Sequence, residues 1–133
     1  MKKLALIFAI AFLLNLVWEN LHVNLYAHFQ GGPITQFHLW RATLFDATFI
    51  TVLAILFIKN SYFRQRLWWS LVFGLAAAVL IEVFAIKTNW WSYNDLMPII
   101  PLFNIGLTPA LQLGLLSFVT YNITGLGNTK TVT

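Results

Sequence analysis

The sequence predicts an all-α integral membrane protein: a four-helix bundle in one domain, its fourth helix either broken by proline or preceded by a re-entrant segment. Three observations carry this. Hydrophobic residues make up 59% of the 133-residue chain and charged residues 9%, against about 45–50% and about 25% in an average soluble domain. Eight Lys and Arg plus four Asp and Glu cannot cover a water-facing surface, and so much apolar side chain would collapse rather than stay disordered. Four apolar stretches, at about 4–26, 39–58, 67–86 and 102–123, reach or approach the ~20 residues a helix needs to cross a bilayer core of ~30 Å. They are continuous runs without the period-two alternation of a membrane β-barrel.

The first stretch opens with Lys2 and Lys3, as a signal peptide would. The apolar run continues past Ala9-Ile10-Ala11, the only A-x-A match, so a retained first helix is expected. Asn15, Glu19, His22 and Tyr26 follow at spacings that put them on one helical face. In the second stretch Thr43 and Asp46 share a face, with Arg41 above them. In the third, Ser70, Gly74, Ala78 and Glu82 recur every four residues; small side chains on such a row let a neighbouring helix approach closely, which places Glu82 at a packed interface. In the fourth, Asn104, Thr108 and Gln112 recur every four. Pro98, Pro101 and Pro109 interrupt this last region. Thr108 as N-cap with Pro109 in the first helical position would start a helix cleanly; one longer, proline-kinked helix is the alternative.

Positive charge sets orientation. With an even number of spans, Lys2, Lys3, Lys59, Arg64, Arg66 and Lys130 fall on the side of the termini, and Arg41 and Lys87 on the other. Both termini are therefore expected in the cytoplasm, and the plasma membrane of a prokaryote is the expected location. The basic pI of 9.7 reflects this topology, and no nucleic-acid partner is expected. Under this orientation Glu19, His22, Asp46, Glu82, Thr108 and Gln112 all lie in the outer half. Ionisable groups inside a bilayer cost about 2.5–3.5 kcal/mol each on insertion scales and mark functional sites. Arg41 is expected to turn inward and bridge at least one acid. A purely structural network is the other reading, with Glu19 paired to His22 or Arg41 and Asp46 or Glu82 to Lys87.

No metal site is expected. Cysteine is absent; His22 and His28 do not share a helix face; Glu19 and His22 form one E-x-x-H where a di-iron bundle needs two. No G-x-S-x-G nucleophile motif occurs.

The run from Glu82 through Trp90-Trp91-Ser92-Tyr93-Asn94 resembles the membrane domains of lycopene cyclases and related carotenoid enzymes. In that pattern an acid closes a transmembrane helix, a W-x-[YF]-N loop follows, and a proline-led helix comes next. Glu82, Ala85, Trp91, Tyr93 and Asn94 match it. Where the pattern continues with P-[IL]-E-E, this chain reads Pro109-Ala110-Leu111-Gln112. The resemblance implies acid-catalysed cyclisation, isomerisation or hydration of an isoprenoid or carotenoid lipid, without a cofactor. Glu82 would donate the proton, with Asp46 or Glu19 as partner or base. Asn15, His22, Arg41, Trp90, Trp91, Tyr93, Asn94 and Gln112 would line the substrate site; aromatic faces among them would stabilise a carbocation. Two other functions fit the same residues. One is a non-catalytic lipid-binding or assembly subunit, paired with a second membrane subunit or with copies of itself. The other is a small proton-coupled transporter using Glu19.

Overall fold

The computed structural model describes residues 1–128. Lys130, counted above on the side of the termini, lies outside the described residues. Helix α1 spans Lys2–His22 and ends in a 3-10 turn, Val23–Leu25; strand β1 is Tyr26–Phe29. Helix α2 is Gln36–Lys59, and the short α3 is Ser61–Arg64. Helix α4 is Trp69–Lys87, followed by the strands β2 (Trp91–Tyr93), β3 (Ile99–Ile100) and β4 (Ile105–Gly106). Helix α5 is Leu107–Ile123.

Three helical segments, Lys2–Leu25, Gln36–Lys59 and Trp69–Lys87, are long and apolar enough to cross a membrane. The four apolar stretches thus become three full-length candidates and one shorter helix. The 17 residues of α5 rise about 26 Å. Its expected start near 102 moves to Leu107, because Asn104 adopts a left-handed φ of 56° and Ile105–Gly106 pair antiparallel with Ile99–Ile100. A β-hairpin replaces both the kinked helix and the start at Thr108. Gly106 is the N-cap and Pro109 sits two residues inside, still in the first turn where no amide hydrogen is needed. Asn104 therefore does not share a helix face with Thr108 and Gln112. The first helix stops short of 26 for a similar reason: Tyr26 leaves the helix to pair with Tyr93 across β1 and β2.

Helix α1 packs along α2, α4 along α5, and α5 also touches α1 and α2. The Lys3 ammonium donates to the Thr124 carbonyl, so the start of α1 and the end of α5 lie at one end of the array. At the other end β1 and β2 pair, joining the chain that leaves α1 to the chain that leaves α4. Ser70, Gly74, Ala78 and Glu82 are all buried, and the row does what its spacing predicts. A Cβ on Gly74 would fall on the Gly114 backbone, and one on Gly114 would come within 2.7 Å of the Leu71 carbonyl. The two glycines are the crossing point of α4 and α5.

The packed core fills the half nearer the termini, where Ile7 and Ala11 meet Ala47, Ile50, Ala54, Phe57, Leu116 and Tyr121. Phe57 stands edge-on to Phe73 with ring centroids 6.3 Å apart and lies 5.3 Å from the Tyr121 ring. The Tyr121 hydroxyl donates to the Ile50 carbonyl at 2.6 Å. Here α2, α4 and α5 close on one another.

Candidate functional site

The opposite half holds the polar side chains. Gln112, on the second turn of α5, faces α1 and α2 at once. Its side-chain nitrogen lies 2.8 Å from Glu19 Oε1, 2.8 Å from Asp46 Oδ2 and 3.1 Å from Asn15 Oδ1. An amide has two hydrogens for these three acceptors. Two carboxyl groups that share one donor are close neighbours, and they repel unless a proton or cation lies between them. Asn15 is itself fixed by donating to the Ala11 carbonyl at 2.7 Å.

His22 extends the network. Its Nε2 lies 3.1 Å from Glu19 Oε2, and its Nδ1 lies 3.1 Å from the Thr108 hydroxyl oxygen. Thr108 donates its single hydroxyl hydrogen to Met97 Sδ at 3.4 Å. His22 thus ties Glu19 of its own helix to Thr108 at the start of α5.

Glu82 stands apart from this group, on α4. Its Oε2 accepts from Trp91 Nε1 at 3.1 Å and from the Tyr93 hydroxyl. Both donors come from β2, which the pairing with β1 holds in place. No hydrogen bond reaches Glu82 Oε1 among the described residues, which leaves that oxygen free to meet a ligand. Burial and then the nearby Glu82 carboxyl push the Tyr93 phenol well above its ordinary range. The same two causes, in the same order, act on Tyr26.

Glu19, Asp46 and Glu82 line one cavity of about 400 Å³, a volume typical of small-molecule sites. Most of its wall is apolar: Leu39, Ala42 and Phe45 from α2, Ala78, Ile81 and Phe84 from α4, Leu113 from α5. Tyr26, Phe29 and Trp91 form its roof, with Phe29 and Trp91 stacked at 18° between ring planes. The three acids expected to converge do so. Gln112, Arg41, Trp90 and Trp91 also reach this cavity.

Other expected residues are placed differently. Arg41 does not turn inward to bridge an acid. Its side chain is exposed, 5.8 Å above the Phe37 ring, because the Gln112 amide and His22 already supply the donors that Glu19 and Asp46 need. Among the described residues the basic side chain within 4.0 Å of a carboxyl group is His22, beside Glu19; neither Glu82 nor Asp46 meets Lys87, which is exposed. Asn94 points away from the cavity and donates to the Asn24 carbonyl, tying the two strands' chains together. Asn15, His22 and Tyr93 act through Glu19, Gln112 and Glu82 rather than lining the space. The wall residues Phe29, Phe45, Ile81 and Phe84 carry no polar signal in sequence, and only the fold brings them together, with His38 beside them. No cluster of three His, Asp or Glu side chains suited to a metal ion occurs among the described residues.

Compared with family models, curated proteins and solved structures, the chain matches none.

Proposed function

We propose that the chain is a multi-pass membrane enzyme with four helices in the bilayer and both termini cytoplasmic, and that it acts by proton transfer on an isoprenoid or carotenoid lipid. The observation that supports this best is the division of the acids: Glu82 on one side of a mostly apolar cavity, the Glu19–Asp46 pair on the other. Acid-catalysed isomerisation or cyclisation of an alkene needs that division. Glu82 Oε1 gives a proton to one alkene carbon. The double bond's electron pair forms the new C–H bond and leaves a cation at the neighbouring carbon. The cation is lost when Asp46 or Glu19 removes a proton from an adjacent carbon, or when water adds to it and gives up a proton to one of these carboxylates. The first outcome is an isomer of the substrate and the second its hydrate, and neither needs a redox partner. The roof rings of Tyr26, Phe29 and Trp91 would present π faces to the cation. The likeness of the Glu82-to-Asn94 run to lycopene cyclase domains points the same way.

The test is conversion of linear polyenes and prenyl lipids by membranes carrying the protein, followed by chromatography. Glu82→Gln should lower conversion by about 10²-fold or more, the usual contribution of a general acid, while the protein still accumulates. Full activity in Glu82→Gln, or no conversion across the lipids of the host, would end the enzymatic reading. One observation favours a second reading. The carboxyl oxygens of Glu19 and Oε2 of Glu82 are already held by donors of this chain, as in a lipid-binding subunit that does no chemistry. In that case Glu82→Gln leaves lipid binding unchanged.

A further inference from the structure

The geometry points to a lateral entrance: we propose that an apolar lipid chain enters the cavity sideways from the bilayer, between the outer halves of α2 and α4, with Phe45 and Phe84 as the two sides of the opening. This rests on the reading that the helices cross a membrane.

Each other boundary of the cavity is closed. The paired strands β1 and β2 cover it at the end remote from the termini, with Tyr26, Phe29 and Trp91 beneath them. Toward the termini, Phe57, Phe73 and Tyr121 seal the space between α2, α4 and α5. Behind it, α5 packs on both α1 and α4, and α1 packs on α2. α2 and α4 do not pack closely on each other; α1 and α4 do not either, but α5 packs on both of them and fills the space between. The wall residues that are solvent-exposed lie along these two facing edges. Phe45 is 56% exposed and Phe84 58% exposed, although both border the cavity.

Two large aromatic side chains that bound a cavity and also stand free on its rim mark where it opens. The opening faces sideways from helices long enough to span a bilayer, so what meets it is hydrocarbon. The occupant is therefore the chain of a membrane lipid. Arg41 and Trp90 sit on the same rim nearer the outer surface, where interfacial Arg and Trp contact the head-group region. A long polyene exceeds a space of about 400 Å³. One end of it would reach the carboxyls while the remainder stays in the bilayer.

The chain contains no cysteine, which makes the test clean. Single variants Phe45→Cys, Phe84→Cys and Leu13→Cys are placed in phosphatidylcholine vesicles and modified with pyrene maleimide. Leu13 is 62% exposed on α1, away from the opening. A diazirine-bearing C15 prenol is then photolysed, and adducts on Leu39, Ile81 and Leu113 are read by mass spectrometry. Pyrene at position 45 or 84 should reduce cavity adducts at least about tenfold, one decade of occupancy; pyrene at position 13 should leave them unchanged. Cavity labelling that ignores pyrene at both 45 and 84, or a wild type labelled only on its outer helix faces, overturns the entrance. Portal-dependent labelling without turnover of any polyene upholds the entrance and refutes the enzyme, whereas turnover that pyrene at 45 and 84 does not slow refutes the entrance alone.

Discussion

Replacing Gln112 with methionine keeps the length and flexibility of the side chain and removes its amide. The amide nitrogen serves Glu19, Asp46 and Asn15 from one position on α5. Its two hydrogens make two good bonds at a time, and the two shortest contacts run to different helices, α1 and α2. Interhelical hydrogen bonds in membrane bundles are worth about 0.6 kcal/mol on average and up to about 1.7 kcal/mol. Two of them give a loss of about 1–3 kcal/mol. The substitution also leaves Glu19 and Asp46 facing each other without the donor that bridged them. The measurement is reversible unfolding in mixed detergent micelles at neutral pH, followed by the fluorescence of the six tryptophans. A loss below about 0.5 kcal/mol, the size expected of substitutions that touch nothing, would refute the bridging role.

Gly74→Ala puts a methyl group on the Gly114 backbone; overpacking of this kind costs about 1–3 kcal/mol, and unfolding in the same micelles should show it, with Ala76→Gly on the exposed side of α4 as the contrast. Tyr93 has its phenol pKa raised in the fold, so above the unfolded value of about 10 only the unfolded state loses that proton. Stability should therefore fall as pH rises through about 10, less steeply in Tyr93→Phe; identical slopes would show that burial and the Glu82 carboxyl do not raise the Tyr93 phenol. For orientation, an impermeant thiol reagent applied to intact cells should modify Gly32→Cys and spare Asn128→Cys, and the opposite pattern would invert the proposed topology.

The helices were legible because apolar runs and four-residue rows are local signals. Ser70, Gly74, Ala78 and Glu82 could be placed on one buried face from spacing alone, and Asn15, Glu19 and His22 likewise. The short strands were not legible. They have two to four residues each, too few for a period, and the pairing of β1 with β2 joins segments more than sixty residues apart. Their turns rely on asparagines in left-handed conformation, Asn89 at φ 58° and Asn104 at φ 56°, which asparagine tolerates but does not announce. That is why Trp91 and Tyr93, expected at a ligand, are found donating to Glu82. Arg41 was misread for a different reason. The expectation that it would neutralise an acid counted charges, and the donors the fold supplies to Asp46 and Glu82 are the uncharged amide, indole and phenol of Gln112, Trp91 and Tyr93.

The cavity follows from where the small residues are. Gly74 and Gly114 let α4 lie directly on α5. Ala47 and Ala54 of α2 are fully buried in the core with Ile7 and Ala11 of α1. Each pair of helices is drawn together on its own seam. What joins the two pairs on the termini side is bulk: Phe57, Phe73 and Tyr121 fill the space between them. In the other half no ring pair among the described residues joins α2 to α4 as Phe57 and Phe73 do, and Gln112 ties Asp46 back toward α5 and α1. Glu82, held from the far side by Trp91 and Tyr93, therefore faces the Glu19–Asp46 pair across open space and not through a direct hydrogen bond. The cavity is the space left where the two packed pairs are not joined by bulk, with Glu19 and Asp46 on the α1–α2 pair and Glu82 on the α4–α5 pair.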